Sequence, residues 1–162
     1  MALSSSVTTL KNIGAARAEQ LNRLSIFTVL DLIEHYPREY QDRSIITDIA
    51  DIEPDRFYTI KAQICTTPQN GRFKSLIVTR LKAKDKTGEI EMAWFNQPYL
   101  KNSLSKGDVL FFSGKAEENR NKIQMVAPDF ERPKEDSANT ARIIPMYPLT
   151  AKLSQKLIRG YI

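Results

Sequence analysis

Tyr58, Ile60, Ala62 and Ile64 alternate with polar residues, the pattern of a strand with one buried face. Leu76 to Lys84 predicts a second strand. Glu89 to Trp94 predicts a third, with Ile90, Met92 and Trp94 on one side. Val109 to Ala116 and Ile123 to Ala127 are further runs of this kind. Between the third and fourth runs, Pro98 to Leu104 fits a short helix, with Pro98 suited to its first turn. Turn signals separate the runs. Pro68-Gln69-Asn70-Gly71-Arg72 is expected to be the first turn, because Asn-Gly is the strongest short turn signal. Asp85-Lys86-Thr87-Gly88, Lys106-Gly107-Asp108 and Asn119-Arg120-Asn121 mark the others.

The N-terminal part has a different period. After Gly14, the residues Ala18, Leu21 and Leu24 fall near one face of a helix. A second helix is expected over Val29 to His35, with Thr28 as N-cap, Asp31 as the partner in a capping box, and Pro37 as the stop. Beyond Pro128 the chain turns polar, and Arg132 to Ser137 is expected to be a linker. Arg142 to Tyr147 reads as extended, and Ser154 caps a last helix. That helix has only about two turns of sequence left, so the chain is expected to be a piece of something longer. The predicted organisation is a helical lobe of helix-hairpin-helix type over 1–55, a barrel over 56–130, and a linker with the start of a connection over 131–162.

The fold class is therefore α+β. Strand, strand, strand, helix, strand, strand is the order of the OB-fold, a five-stranded Greek-key barrel whose open face and loops often bind oligonucleotides. Another small barrel or a plain meander would also fit the order. Half of a helix-hairpin-helix motif in an acidic lobe fits a structural pair of helices better than a phosphate site.

Composition narrows the function. No run of about 18 apolar residues exists, so no membrane span is expected. The first residues lack the basic and apolar regions of a secretory signal. One cysteine, Cys65, and one histidine, His35, cannot assemble a Cys/His zinc site. No Gly-x-x-x-x-Gly-Lys-Ser/Thr phosphate cradle occurs. His35 falls at a helix end, where packing is expected, and Glu117-Glu118 reads as a solvated strand end. This chain by itself is expected to be neither an enzyme nor a cofactor carrier, and to reside in the cytoplasm with its thiol reduced.

The net charge of +5 is unevenly spread. Residues 1–55 hold 5 Lys/Arg and 9 Asp/Glu, residues 56–124 hold 13 and 6, and residues 125–162 hold 6 and 4. The positive excess sits on the barrel, as phosphate contacts would require. The same segment contains Trp94-Phe95-Asn96-Gln97-Pro98-Tyr99-Leu100. Trp94 has core parity. Phe95 has the opposite parity and is expected to face outward, and Tyr99 follows past a proline that interrupts the strand. Outward aromatics beside basic residues suit base stacking. A satellite apolar cluster under a loop would give the same pattern.

Three stretches carry a resemblance, and the second and third are specific. Leu10 to Gly14 with Arg17 to Leu21, His35-Tyr36-Pro37-Arg38-Glu39-Tyr40-Gln41-Asp42-Arg43-Ser44, and Trp94 to Leu100 are similar to motifs of the wedge region of the RecG family of ATP-dependent DNA helicases. Tyr147 to Thr150 with Leu153 to Lys156 resembles the segment joining that wedge to the first motor domain. Asn12 and Ser25 stand where the family pattern has glycine, and Ala127-Pro128-Asp129 where it has His-Pro-Glu.

The resemblance implies a wedge that sits at a replication fork or Holliday junction during fork reversal and branch migration. It implies base stacking by Phe95 and Tyr99, with Asn96 and Gln97 between them. Arg72 and Lys74 beside the first hairpin, Arg120 and Lys122 beside the last, and Lys101 are the candidate phosphate contacts. The implied partners are branched DNA and motor domains of the same polypeptide, where ATP and Mg would bind, in a nucleoid-associated bacterial protein. The second reading is a protein-interaction module whose basic face docks an acidic partner, such as the tail of a single-strand binding protein.

Overall fold

The computed structural model describes residues 2–133 and 142–162. Its elements in chain order are α1 (Ala15–Asn22), α2 (Val29–Ile33), β1 (Glu39–Asp42), β2 (Phe57–Ile64), β3 (Gln69–Phe73), β4 (Leu76–Lys84), β5 (Glu89–Phe95), α3 (Leu100–Ser103), β6 (Val109–Asn119), β7 (Lys122–Glu131), β8 (Ile143–Met146) and α4 (Gln155–Tyr161). Single 3-10 turns lie at Val7–Thr9 and Ile49–Asp51. The chain forms two compact units, one running up to Gln41 together with Ile143–Ile162, the other Asp42–Arg142. The expected linker over 132–137 lies largely outside the described residues.

The second unit is the expected barrel. Its sheet runs β2-β6-β7-β5-β4-β3, and β2 also pairs with β4, which closes the ring. β5 and β7 are parallel and the other neighbours antiparallel. β2 and β3 act as two halves of one barrel strand. The first half pairs with β6 and, at its end, with β4, and the second half pairs with β4 alone.

Alternation does what the pattern predicted. Ile60, Ala62, Ile64, Leu81, Ala83, Ile90, Met92 and Trp94 point inward with Leu110, Phe112 and Met125, and α3 plugs one end through Leu100 and Leu104. A β-bulge between Ser113 and Lys115 lets β6 and β7 bend. Gly114 sits at that bend against Pro128, where a Cβ would lie 2.9 Å from Pro128 Cα, so no larger residue fits without movement. Arg43, almost fully buried, ties the entry of the barrel to its last strand. Its Nη2 donates to Asp129 at 2.9 Å, and its guanidinium lies 5.6 Å from the Phe57 ring centroid.

One expectation fails here. Gln69 to Arg72 is strand, not turn, and the hairpin apex is Lys74-Ser75, because Phe73 pairs with Leu76. Asn70 is engaged across the ladder and Gly71 faces Val78, so the Asn-Gly pair is spent on pairing. Lys74 takes the left-handed conformation instead, with φ 55°.

The first unit packs α1, α2 and α4 around Leu21, Ile26, Leu32 and Ile158. Thr28 and Asp31 form the full capping box at α2, and Ser154 caps α4. Asn12 and Ser25, the two positions where the related pattern has glycine, have φ values of 71° and 62°. Glycine adopts that region freely, and Asn tolerates it better than Ser does. His35 is packed, with its ring stacked on Tyr147 and Nε2 3.3 Å from the Pro148 carbonyl oxygen. Tyr147, Leu153 and Ile158 belong to this unit's core. The contacts thus group residues 143–162 with the N-terminal helices, whereas the sequence set 131–162 apart.

Candidate nucleic-acid interface

Trp94 and Phe95 are neighbours with opposite fates. Trp94 is 2% exposed, and its indole N–H donates to the Pro128 carbonyl at 2.9 Å. Phe95 pairs with Val78 on the outer face and is 41% exposed, and Tyr99 is 61% exposed. Both candidate stacking rings are therefore available to solvent while the tryptophan anchors the strand beneath them.

The chain between the two rings is held to the β3–β4 hairpin. Asn96, with φ 54°, turns the backbone off the sheet. Its N–H donates to the Ile77 carbonyl at 2.7 Å, and its Oδ1 accepts from Ile77 N–H at 3.3 Å. Thr79, fully buried, places Oγ1 2.8 Å from Asn70 Oδ1 and 3.2 Å from the Gln97 carbonyl oxygen. The single hydroxyl proton is shared between these acceptors or serves the shorter bond. Asn70 Nδ2 donates to the Pro98 carbonyl at 3.1 Å. Tyr99 Oη donates to Gln97 Oε1 at 3.1 Å, and Leu100 is buried behind it. The segment is thus preorganised, and holding it costs little ordering at the moment of contact.

The candidate cations divide into two groups. Arg72 on β3 and Lys74 at the apex belong to the hairpin that clamps the aromatic segment. Lys101 follows Tyr99 in α3. Arg120 is in the β6–β7 turn, with Asn121, and Lys122 begins β7. β7 runs parallel to β5 with Glu91 beside Gln124, so Lys122 lies level with Glu89. Phe95 is six residues further along β5, about 20 Å at about 3.3 Å per residue. The two cation groups therefore sit at opposite ends of β5.

Sequence reading missed the clamp and Phe73. Asn70 and Thr79 act across the ladder, which no local pattern reveals. Phe73, beside the apex, is 58% exposed with Lys74 Nζ 5.7 Å from its ring centroid. Among the described residues no group of three or more His, Cys, Asp or Glu could hold a metal ion. No helix among them is long and apolar enough to cross a membrane.

A closed barrel of this strand order with its intervening helix defines an OB-type domain joined to a helical lobe. The family described as RecG wedge domain matches residues 6–162, and the chain belongs to that family. It is 30% identical over 159 residues to the ATP-dependent DNA helicase RecG of Thermotoga maritima, covering 97% of this chain and 20% of that one. It is 28% identical over 160 residues to RecG of Bacillus subtilis, covering 97% and 22%. A solved structure of RecG bound to a three-way DNA junction superposes with a TM-score of 0.84 at 27% identity, covering 99% of this chain and 22% of that one. The chain spans about a fifth of the length of these relatives.

Proposed function

We propose that this chain is the branched-DNA-binding wedge of a RecG-like, ATP-dependent helicase, with Phe95 and Tyr99 stacking on bases where the strands part. The observation that carries the reading is the exposure of both rings on a segment clamped by Asn70, Thr79 and Ile77. The likeness to a RecG structure bound to a three-way junction supports it. Arg72, Lys74 and Lys101 would take phosphates beside the rings, and Arg120 and Lys122 phosphates further along. Asn96 and Gln97 hold the segment in shape and leave their remaining hydrogen-bonding capacity for the same DNA.

The energetics define the division of labour. Stacking contributes roughly 1–3 kcal/mol per base, and unstacking one step costs about a few kcal/mol. The wedge can hold one parted step open and cannot part many. Motor domains elsewhere in the same polypeptide would supply that work through ATP.

Fluorescence anisotropy with forked and plain duplex DNA tests the reading. Phe95→Ala and Tyr99→Ala should each weaken fork binding about fivefold or more and leave plain duplex binding nearly unchanged. Fork binding unchanged in both variants would remove the stacking role.

A further inference from the structure

We infer that the outer face of the β3–β4 hairpin carries a second base site, a slot for one unpaired nucleobase built around Phe73. The inference rests on the DNA-binding reading above and adds residues to it. Register puts Gln69 opposite Arg80, Gly71 opposite Val78 and Phe73 opposite Leu76, all on the outer face of the sheet. A cavity of about 190 Å³ lies over this ladder, lined by Gln69, Gly71, Phe73, Val78 and Arg80 together with Asn70 and Arg72.

Each position has a physical part. Gly71 has no side chain to raise the floor, and the Val78 side chain opposite it is packed down to 4% exposure, which leaves a low surface for a flat ring. A Cβ at Gly71 would meet nothing nearer than the Val78 carbonyl oxygen at 4.0 Å. Phe73 offers an exposed aromatic ring at one end, with Lys74 Nζ over it. Gln69 and Arg80 place an amide and a guanidinium at the other end, suited to a base edge or its phosphate. The slot's lining holds Arg72 and Arg80 and no acidic residue, which favours an anionic ligand. An exposed aromatic, a flat floor and cations together select an unpaired nucleotide over an acidic peptide, which needs no flat slot.

Phe95 pairs with Val78, the floor residue, so the slot lies next to the proposed junction contact. A strand leaving the junction past Phe95 would meet Phe73 within a nucleotide or two, given strands about 4.8 Å apart.

The test uses the 162-residue chain and a fork carrying 2-aminopurine at successive positions of its unpaired arms. Protein binding should quench one position near the junction. Phe73→Ala should abolish that quench and weaken fork binding roughly fivefold or more. Gly71→Val, which fills the slot while favouring strand, should do the same without lowering the melting temperature. An abasic linker there should weaken binding of the unsubstituted chain and leave Phe73→Ala with no further effect. The slot is overturned if folded Phe73→Ala and Gly71→Val bind and quench like the parent, or if the abasic fork binds as tightly. Loss of fork binding by the unsubstituted chain itself would overturn the DNA-binding reading and the slot together.

Discussion

Two of the barrel's hairpins, β3–β4 and β6–β7, carry the candidate phosphate-binding cations, and they are not equivalent. The β3–β4 hairpin carries Arg72 and Lys74 and has Phe73, Phe95 and Tyr99 exposed around it. The β6–β7 hairpin carries Arg120 and Lys122 behind Glu117 and Glu118, and Lys115 is shared with Glu117 at 3.9 Å. Cations with exposed rings can hold bases, whereas cations alone read only phosphate. On the proposed reading, the difference would place specificity for parted strands at one end of β5 and general attraction for the backbone at the other.

The most disruptive way to break this contrast is from beneath. Trp94→Ala removes a buried indole and leaves the Pro128 carbonyl without its donor. A loss of about 3–5 kcal/mol is expected in denaturant unfolding. Phe95→Ala, at the adjacent residue, should cost less than about 1.5 kcal/mol of stability, because the ring is exposed. Equal losses would show that Phe95 is core and that the contrast is false.

A subtler change loosens one end only. Thr79→Val keeps the shape but deprives Asn70 Oδ1 of its donor, while the Gln97 carbonyl keeps the Leu100 N–H. About 1 kcal/mol of stability should be lost. Fork affinity should fall further than duplex affinity, which anisotropy on the two DNAs would show.

The smallest expected effect lies at the opposite end of β5, in the turn before Glu89. Burial alone would push the Asp85 carboxyl up. Hydrogen bonds from the Thr87 hydroxyl and from Ile49, Thr87 and Gly88 N–H outweigh it and hold the carboxyl below its ordinary 3.8. A depressed carboxyl stabilises the fold above the unfolded-state pKa, and that contribution is lost as pH falls through the folded value. Melting temperature should therefore drop below about pH 4, and Asp85→Asn should flatten the drop. An identical acid profile for Asp85→Asn would contradict the linkage.

The legible and illegible parts of the sequence separate by locality. Ile90, Met92 and Trp94 announced the inner face, and parity alone turned Phe95 outward. Thr28 and Asp31 announced their helix start because a capping box lies within one turn. β3 was hidden because all five of its residues are exposed and its Asn-Gly pair mimics a turn. Nothing marked Lys74 as the apex residue, since it takes a positive φ without being Gly or Asn. The clamp of Asn70 and Thr79 on residues 97–98 joins strands distant in sequence. Leu153 and Ile158 pack with helices more than 100 residues earlier, which no window of sequence displays.

The most direct test of the contrast between the two hairpins is a salt titration of fork binding. The parent chain would be compared with a Phe95→Ala/Tyr99→Ala variant and an Arg120→Ala/Lys122→Ala variant. Removing the aromatics should lower fork affinity at every salt concentration and leave the slope of log K against log salt unchanged. Removing the cations should reduce the slope by about one per lost phosphate contact and preserve the preference for fork over duplex. A reversal, with the aromatic variant changing the slope or the cation variant losing the fork preference, would contradict the account.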